Sequence, residues 1–170
     1  MKTKAKYTAF LGLFLAFAVA AGYAERVIPP IIPALPGIKL GLPNIAAVVL
    51  MYIKDNKTAL TLNALRVILS GLFFSGAWGA VYGLFGALLS FAAMAALKKT
   101  GIFGIAGASA AGGVFHNLGQ ICAAALITGD AKIFYYFPIL IISGVVTGMI
   151  IGYLSGLVIN RLGKSYESLF

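Results

Sequence analysis

Acidic side chains are scarce in this chain: Glu25, Asp55, Asp130 and Glu167 are the four among 170 residues. Cysteine and histidine are scarcer, with Cys122 and His116 the single representatives of each. One cysteine excludes an intramolecular disulfide, a CxxC redox pair and an iron–sulfur cluster held by this chain alone. One histidine and one cysteine six positions apart do not complete a metal site. No carboxylate pair stands ready for acid–base work, and no serine or cysteine has an evident His–Asp relay. The aspartate-rich DDxxD motif that holds magnesium and diphosphate is missing, as is the GxxxxGK[ST] loop that binds ATP. The chain therefore reads as a non-enzyme with no cofactor of its own.

What is abundant is apolar surface. Hydrophobic residues make up 61% of the chain, charged residues 10%, and the mean hydropathy is +1.01. A soluble domain of this size cannot hide so much apolar area, so the surrounding solvent is largely lipid. Apolar runs fall at 7–24, 40–53, 58–77, 79–97, 102–128 and 133–159. A helix needs ~20 residues to cross a ~30 Å hydrocarbon core, which most of these supply. The second is short, spanning only ~24 Å even from Ile38 to Ile53, and is expected to lean on a protein-lined loop. The expectation is an all-α integral membrane protein: one transmembrane domain over 1–170, a bundle of six spans.

The net charge of +9 suggests a nucleic-acid binder only until the cations are located. They bracket the apolar runs and form no single patch, so no nucleic-acid partner is expected. With the N-terminus inside, nine cations fall in the cytoplasm: Lys2, Lys4, Lys6, Lys54, Lys57, Lys98, Lys99, Arg161 and Lys164. Arg26, Lys39 and Lys132 fall outside, and Arg66 lies within a span. That asymmetry satisfies the positive-inside rule and puts both termini in the cytoplasm. A cleaved signal peptide competes for the N-terminal segment, since Lys2 to Lys6 make a basic region and Gly22-Tyr23-Ala24 a small-residue site. The first run is long enough to remain in the bilayer, and retention is the expectation.

Arg66 is the most informative residue. It lies too deep to snorkel out easily, at a cost of at least ~2.5–3.5 kcal/mol for mid-helix arginine. Asn63 and Ser70 flank it on one face. All four acids are expected in loops or termini, so no buried carboxylate stands out as its partner. Backbone carbonyls are one solution. An anionic ligand group is the other, favoured because a guanidinium fork matches carboxylate and phosphate geometry.

The stretch VFHNLGQICAA, 114–124, carries His116, Asn117 and Gln120 inside an apolar run. On a helix they occupy about a third of the circumference, and Ser109, Gly112 and Gly113 extend that face with room in place of bulk. Such a trio forms either an interhelical hydrogen-bond knot or one wall of a polar pocket facing Arg66. The pocket is the preferred reading. Residues 25–39, ERVIPPIIPALPGIK, form a stiff external loop with four prolines that is expected to lie over the mouth, with Lys39 adding a cation at the rim. Trp78 and Tyr135-Tyr136 fall at outer boundaries, as an aromatic belt does.

Small residues recur on two runs. Gly144, Gly148, Gly152 and Gly156 on the last, and Gly79, Gly83 and Gly86 on the fourth, are read as helix packing. Gly12, Ala16, Ala20 and Ala24 make a stripe on the first run that suits either packing within the chain or docking of a separate membrane subunit.

PGIKLGLPNI at 36–45, ALRVILSGLFFSG at 64–76 and GVFHNLGQ at 113–120, in that order, resemble the Gx transporter family, also called heptaprenyl diphosphate synthase component I. The resemblance extends over nearly the whole chain, and the family is similar to the substrate-binding S-components of energy-coupling factor (ECF) transporters. It implies a six-helix fold with both termini inside and residence in a prokaryotic plasma membrane. It also implies a loop after the first helix that gates an outward-facing site. Gly12, Ala16, Ala20 and Ala24 would then dock onto a transmembrane coupling subunit driven by two cytoplasmic ATPases. The expected ligand is a small anionic vitamin or cofactor precursor, held by Arg66 and Lys39 and oriented by Asn63, His116, Asn117 and Gln120. The alternative is a non-catalytic membrane subunit assisting heptaprenyl diphosphate synthesis or a flavin-dependent membrane redox complex.

Overall fold

The computed structural model describes residues 2–27 and 39–169. Among these, six α-helices follow one another: α1 Lys2–Val27, α2 Asn44–Ile53, α3 Asn56–Ser70, α4 Gly76–Thr100, α5 Ile105–Thr128 and α6 Phe137–Leu169. A π-helical segment, Gly71–Ser75, joins α3 to α4, and a 3-10 segment, Ala131–Tyr136, leads into α6. No strand occurs among the described residues. Contacts fix an up-and-down order: Tyr7 Oη lies 3.3 Å from Thr58 Oγ1, Lys98 Nζ donates to the Met51 carbonyl, and the Phe10 and Tyr166 rings meet at 5.4 Å. These contacts mark the basic end. At the opposite end Glu25 meets Leu42, and the Tyr23 and Phe74 rings meet at 5.3 Å.

Four helical stretches are long and apolar enough to cross a membrane: Lys4–Val27, Asn56–Thr100, Ile105–Thr128 and Ala131–Gly163. The second, 45 residues, doubles back at Gly76, whose φ of +70° no helix accommodates. The reversal leaves α3 and α4 antiparallel, with Gly71 on Ala80 and Gly83 on Val67.

The boundaries correct the sequence reading at the first loop. Glu25, Arg26 and Val27 are the last turn of α1, so the loop does not begin at 25. Nothing before Pro29 breaks the helix, and a residue preceding proline is pushed out of helical geometry. The remainder of the expected lid, 28–38, lies outside the described residues. The second run begins as a helix only at Asn44, because Gly41 sits at φ +85° and the Asn44 N–H closes a turn on the Gly41 carbonyl at 2.8 Å. That leaves α2 ten residues, ~15 Å. It is nonetheless the centre of the molecule: Ala46 to Met51 are each exposed by 1% or less. A helix apolar all round suits only such a position.

Glycines set the spacing of the later helices. A Cβ on Gly113 would stand 2.2 Å from the Gly144 carbonyl oxygen, and one on Gly148 would stand 2.5 Å from that of Ser109. Gly152 meets Ala106 in the same way, whereas Gly156 touches only the tip of Ile105. Thus α5 and α6 meet backbone to backbone, the arrangement that gains most from dispersion in lipid. On α1 the small residues behave differently. Gly12, Ala16, Ala20 and Ala24 are exposed, and nothing lies within 4 Å of a Cβ built on Gly12.

Two stability predictions follow from this packing. Gly113→Val is expected to cost about 1–3 kcal/mol or more, while Gly12→Val leaves the thermal midpoint in detergent unchanged. Asp55 caps α3, its Oδ1 accepting from the Thr58 N–H at 2.7 Å, and that bond holds its carboxyl below the usual carboxylate range. A lowered folded value stabilises fully above the unfolded value of ~3.9 and is lost as pH falls through the folded one. Asp55→Ala should therefore cost about 1 kcal/mol at neutral pH, and thermal melts at lower pH should show the difference from the unaltered chain shrinking below about pH 4.

Candidate functional site

A cavity of about 520 Å³ opens among all six helices. Arg66 projects into it from α3 and is itself only 9% exposed. Its Nε and Nη2 donate to Asn63 Oδ1 at 3.1 and 2.9 Å, and Nη2 also donates to Asn44 Oδ1 at 3.3 Å. Two neutral amides thus grip one edge of the guanidinium, and Nη1 has no acceptor among the described residues. No carboxylate is within ion-pair distance of it among the described residues. Neutral acceptors satisfy part of a buried cation's hydrogen-bonding capacity and leave its charge uncompensated.

The sequence-derived candidates divide into two roles. Lys39, Arg66, His116, Asn117 and Gln120 all line this cavity. Asn63 does not; it is 2% exposed and acts behind Arg66, fixing its orientation. Asn117 lines the wall but spends its amide elsewhere: Nδ2 donates to the Leu140 carbonyl at 2.7 Å, tying α5 to α6. It is a strut first. The His116 ring lies against Gly86, where a Cβ would stand 3.0 Å from Nδ1, and Nδ1 is buried without a hydrogen bond. Gly86 is therefore what admits the imidazole. Gln120 makes no side-chain hydrogen bond among the described residues. Lys39 is exposed at the rim.

Sequence reasoning missed two contributors. Glu25, expected in a loop, lines the cavity from the last turn of α1, and its Oε1 accepts the Leu42 N–H at 2.7 Å. It thereby anchors the turn that delivers Asn44 to Arg66. Asn44 was the second omission. Its signal was present in LGLPN, where glycine and proline set up a helix start whose first residue carries an amide.

An all-α bundle with four stretches fit to cross a bilayer, enclosing a polar cavity, is a multi-pass membrane protein. The chain belongs to the heptaprenyl diphosphate synthase component I family, also called Gx transporter, which matches residues 14–158. No curated protein and no solved structure matches it.

The division of roles is measurable. Asn117→Leu should destabilise the detergent-solubilised protein by about 0.6–1.7 kcal/mol, whereas Gln120→Leu should leave the melting temperature unchanged.

Proposed function

We propose that this chain is the membrane-embedded substrate-binding subunit, S-component-like, of an ECF-type uptake transporter. It captures a small anionic vitamin or cofactor precursor from outside the cell. One observation carries the reading: the Arg66 guanidinium is nearly buried, held by amides on one edge and open to the cavity on the other. A carboxylate or phosphate there completes its hydrogen bonds and neutralises its charge together. Lys39 and Arg26 add positive charge near the mouth, where they attract an anion before it is desolvated.

In this reading the bundle crosses a prokaryotic plasma membrane six times with both termini in the cytoplasm, and the cavity mouth faces out. The exposed stripe of Gly12, Ala16, Ala20 and Ala24 supports docking of a transmembrane coupling subunit, which two ATPases drive. The stripe is exposed among the described residues, and α1 is the least buried of the long apolar helices. The family's description favours a second reading, a non-catalytic subunit that assists heptaprenyl diphosphate synthesis.

Mass spectrometry of the small molecule released on denaturing the purified protein separates the two. Transport predicts a stoichiometric anionic compound, reduced roughly a hundredfold by Arg66→Met with little loss of folded protein. Retention unaffected by Arg66→Met would refute the anion site. Paired Ala16→Leu and Ala20→Leu changes should abolish association with the coupling subunit while ligand retention persists. An accessory subunit would alter a partner synthase's activity and retain no ligand.

A further inference from the structure

Arg66 accounts for only one part of the cavity. Toward the basic end the cavity lies between α4, α5 and α6, where Ser90, Met94, Ser109, Gly112, Gly148 and Ile151 line it. No charged residue is among those six. Ser90 is 7% and Ser109 4% exposed, yet neither hydroxyl has a hydrogen-bond partner among the described residues. Nor is either among the fully enclosed unpaired atoms, so both open to the cavity. Thr147, on the same wall, shows the ordinary alternative: its Oγ1 donates back to the Ser143 carbonyl at 2.8 Å. A serine inside an apolar helix normally takes that bond, because an unmade one costs about 1–3 kcal/mol.

Two such serines, on α4 and α5, line the cavity beside glycines of the facing helices that leave space for them, Gly112 against Ser90 and Gly152 against Ser109. A Cβ on Gly112 would stand 3.2 Å from Ser90 Oγ. Its distance from the anion end follows from helix register. Gly83 packs on Val67, next to Arg66, and Ser90 is seven residues further along α4. His116 packs on Gly86, one turn before Ser90. The separation is one to two turns, roughly 6–10 Å.

We infer that the ligand is two-headed: an anionic group at Arg66, and at its far end an uncharged hydrogen-bonding group such as a hydroxyl, amide or ring nitrogen, received by Ser90 and Ser109. This rests on the anion-site reading and narrows it. Inorganic anions are too short to reach both ends. Alkyl or prenyl chains reach the serines but leave them unpaired, and a site built for hydrogen bonds discriminates against such analogues.

The test uses matched probes, 6-hydroxyhexanoate and 8-hydroxyoctanoate against hexanoate and octanoate, titrated calorimetrically into the purified full chain. At least one hydroxy acid should bind roughly tenfold more tightly than its alkyl partner. That preference should vanish in the Ser90→Ala/Ser109→Ala variant, and Arg66→Met should remove binding of all four. Equal or reversed preference, with Arg66 still required, would overturn the two-headed ligand and leave the anion site standing. Binding indifferent to Arg66→Met, or absent, would overturn both. Ser109→Thr, which keeps a hydroxyl, is the check on folding: it should retain the preference, and loss of preference there with an unchanged melting temperature would also count against the assignment.

Discussion

A cation placed where lipid surrounds the protein is the constraint on which the remaining structure depends. Arg66 cannot be left to hydrocarbon, and a buried ion pair would have to repay the desolvation of two charges. The fold settles on neutral acceptors. Asn63, one turn earlier on the same helix, takes two donors, and Asn44 takes a further contact from the start of α2. Asn44 reaches that position because Gly41 turns the chain and Glu25 holds the Leu42 amide. Four residues from three segments of the chain thus serve one guanidinium. The nearest carboxylate is employed as a backbone anchor and makes no ion pair with the arginine.

Small residues perform two opposed tasks in the same bundle. At Gly113, Gly144, Gly148 and Gly152 they bring α5 and α6 into backbone contact. At Gly83, Gly86 and Gly112 they make room for a neighbour's side chain or for the cavity itself. In lipid, helix association draws on dispersion and hydrogen bonding more than on the hydrophobic effect, so tight seams must carry the stability that an open cavity forfeits. The Asn117 bond to the Leu140 carbonyl adds a polar tie along that seam.

Much of this was legible from residue types. Arg66 without a paired acid, and His116 and Gln120 on one helical face, mark the cavity because polar groups in apolar runs need a reason. The last glycine stripe declared its packing role through four-residue spacing. What stayed hidden depended on partners that sequence proximity does not reveal. Asn63 and Asn117 looked like wall residues, yet one braces the arginine and the other ties two helices. Glu25 was assigned to a loop because an apolar run ended at Ala24, but helical geometry continues at least to Val27, the last described residue of that segment. Ser90 gave no signal, since a lone serine in an alanine-rich helix is unremarkable until its missing bond is seen in three dimensions.

The burial of α2 bears on how the protein is made. A ten-residue helix whose central six residues are buried is too short to be recognised as a membrane segment when it leaves the ribosome. It carries little lipid-facing surface that would hold it in place alone. Insertion of α2 must therefore wait for α3, whose deep arginine makes it a poor independent entrant as well. The two enter as a hairpin, α3 lending length and α2 lending the Asn44 amide that shields the charge. Biogenesis and the geometry of the cavity consequently draw on the same contact between Asn44 and Arg66.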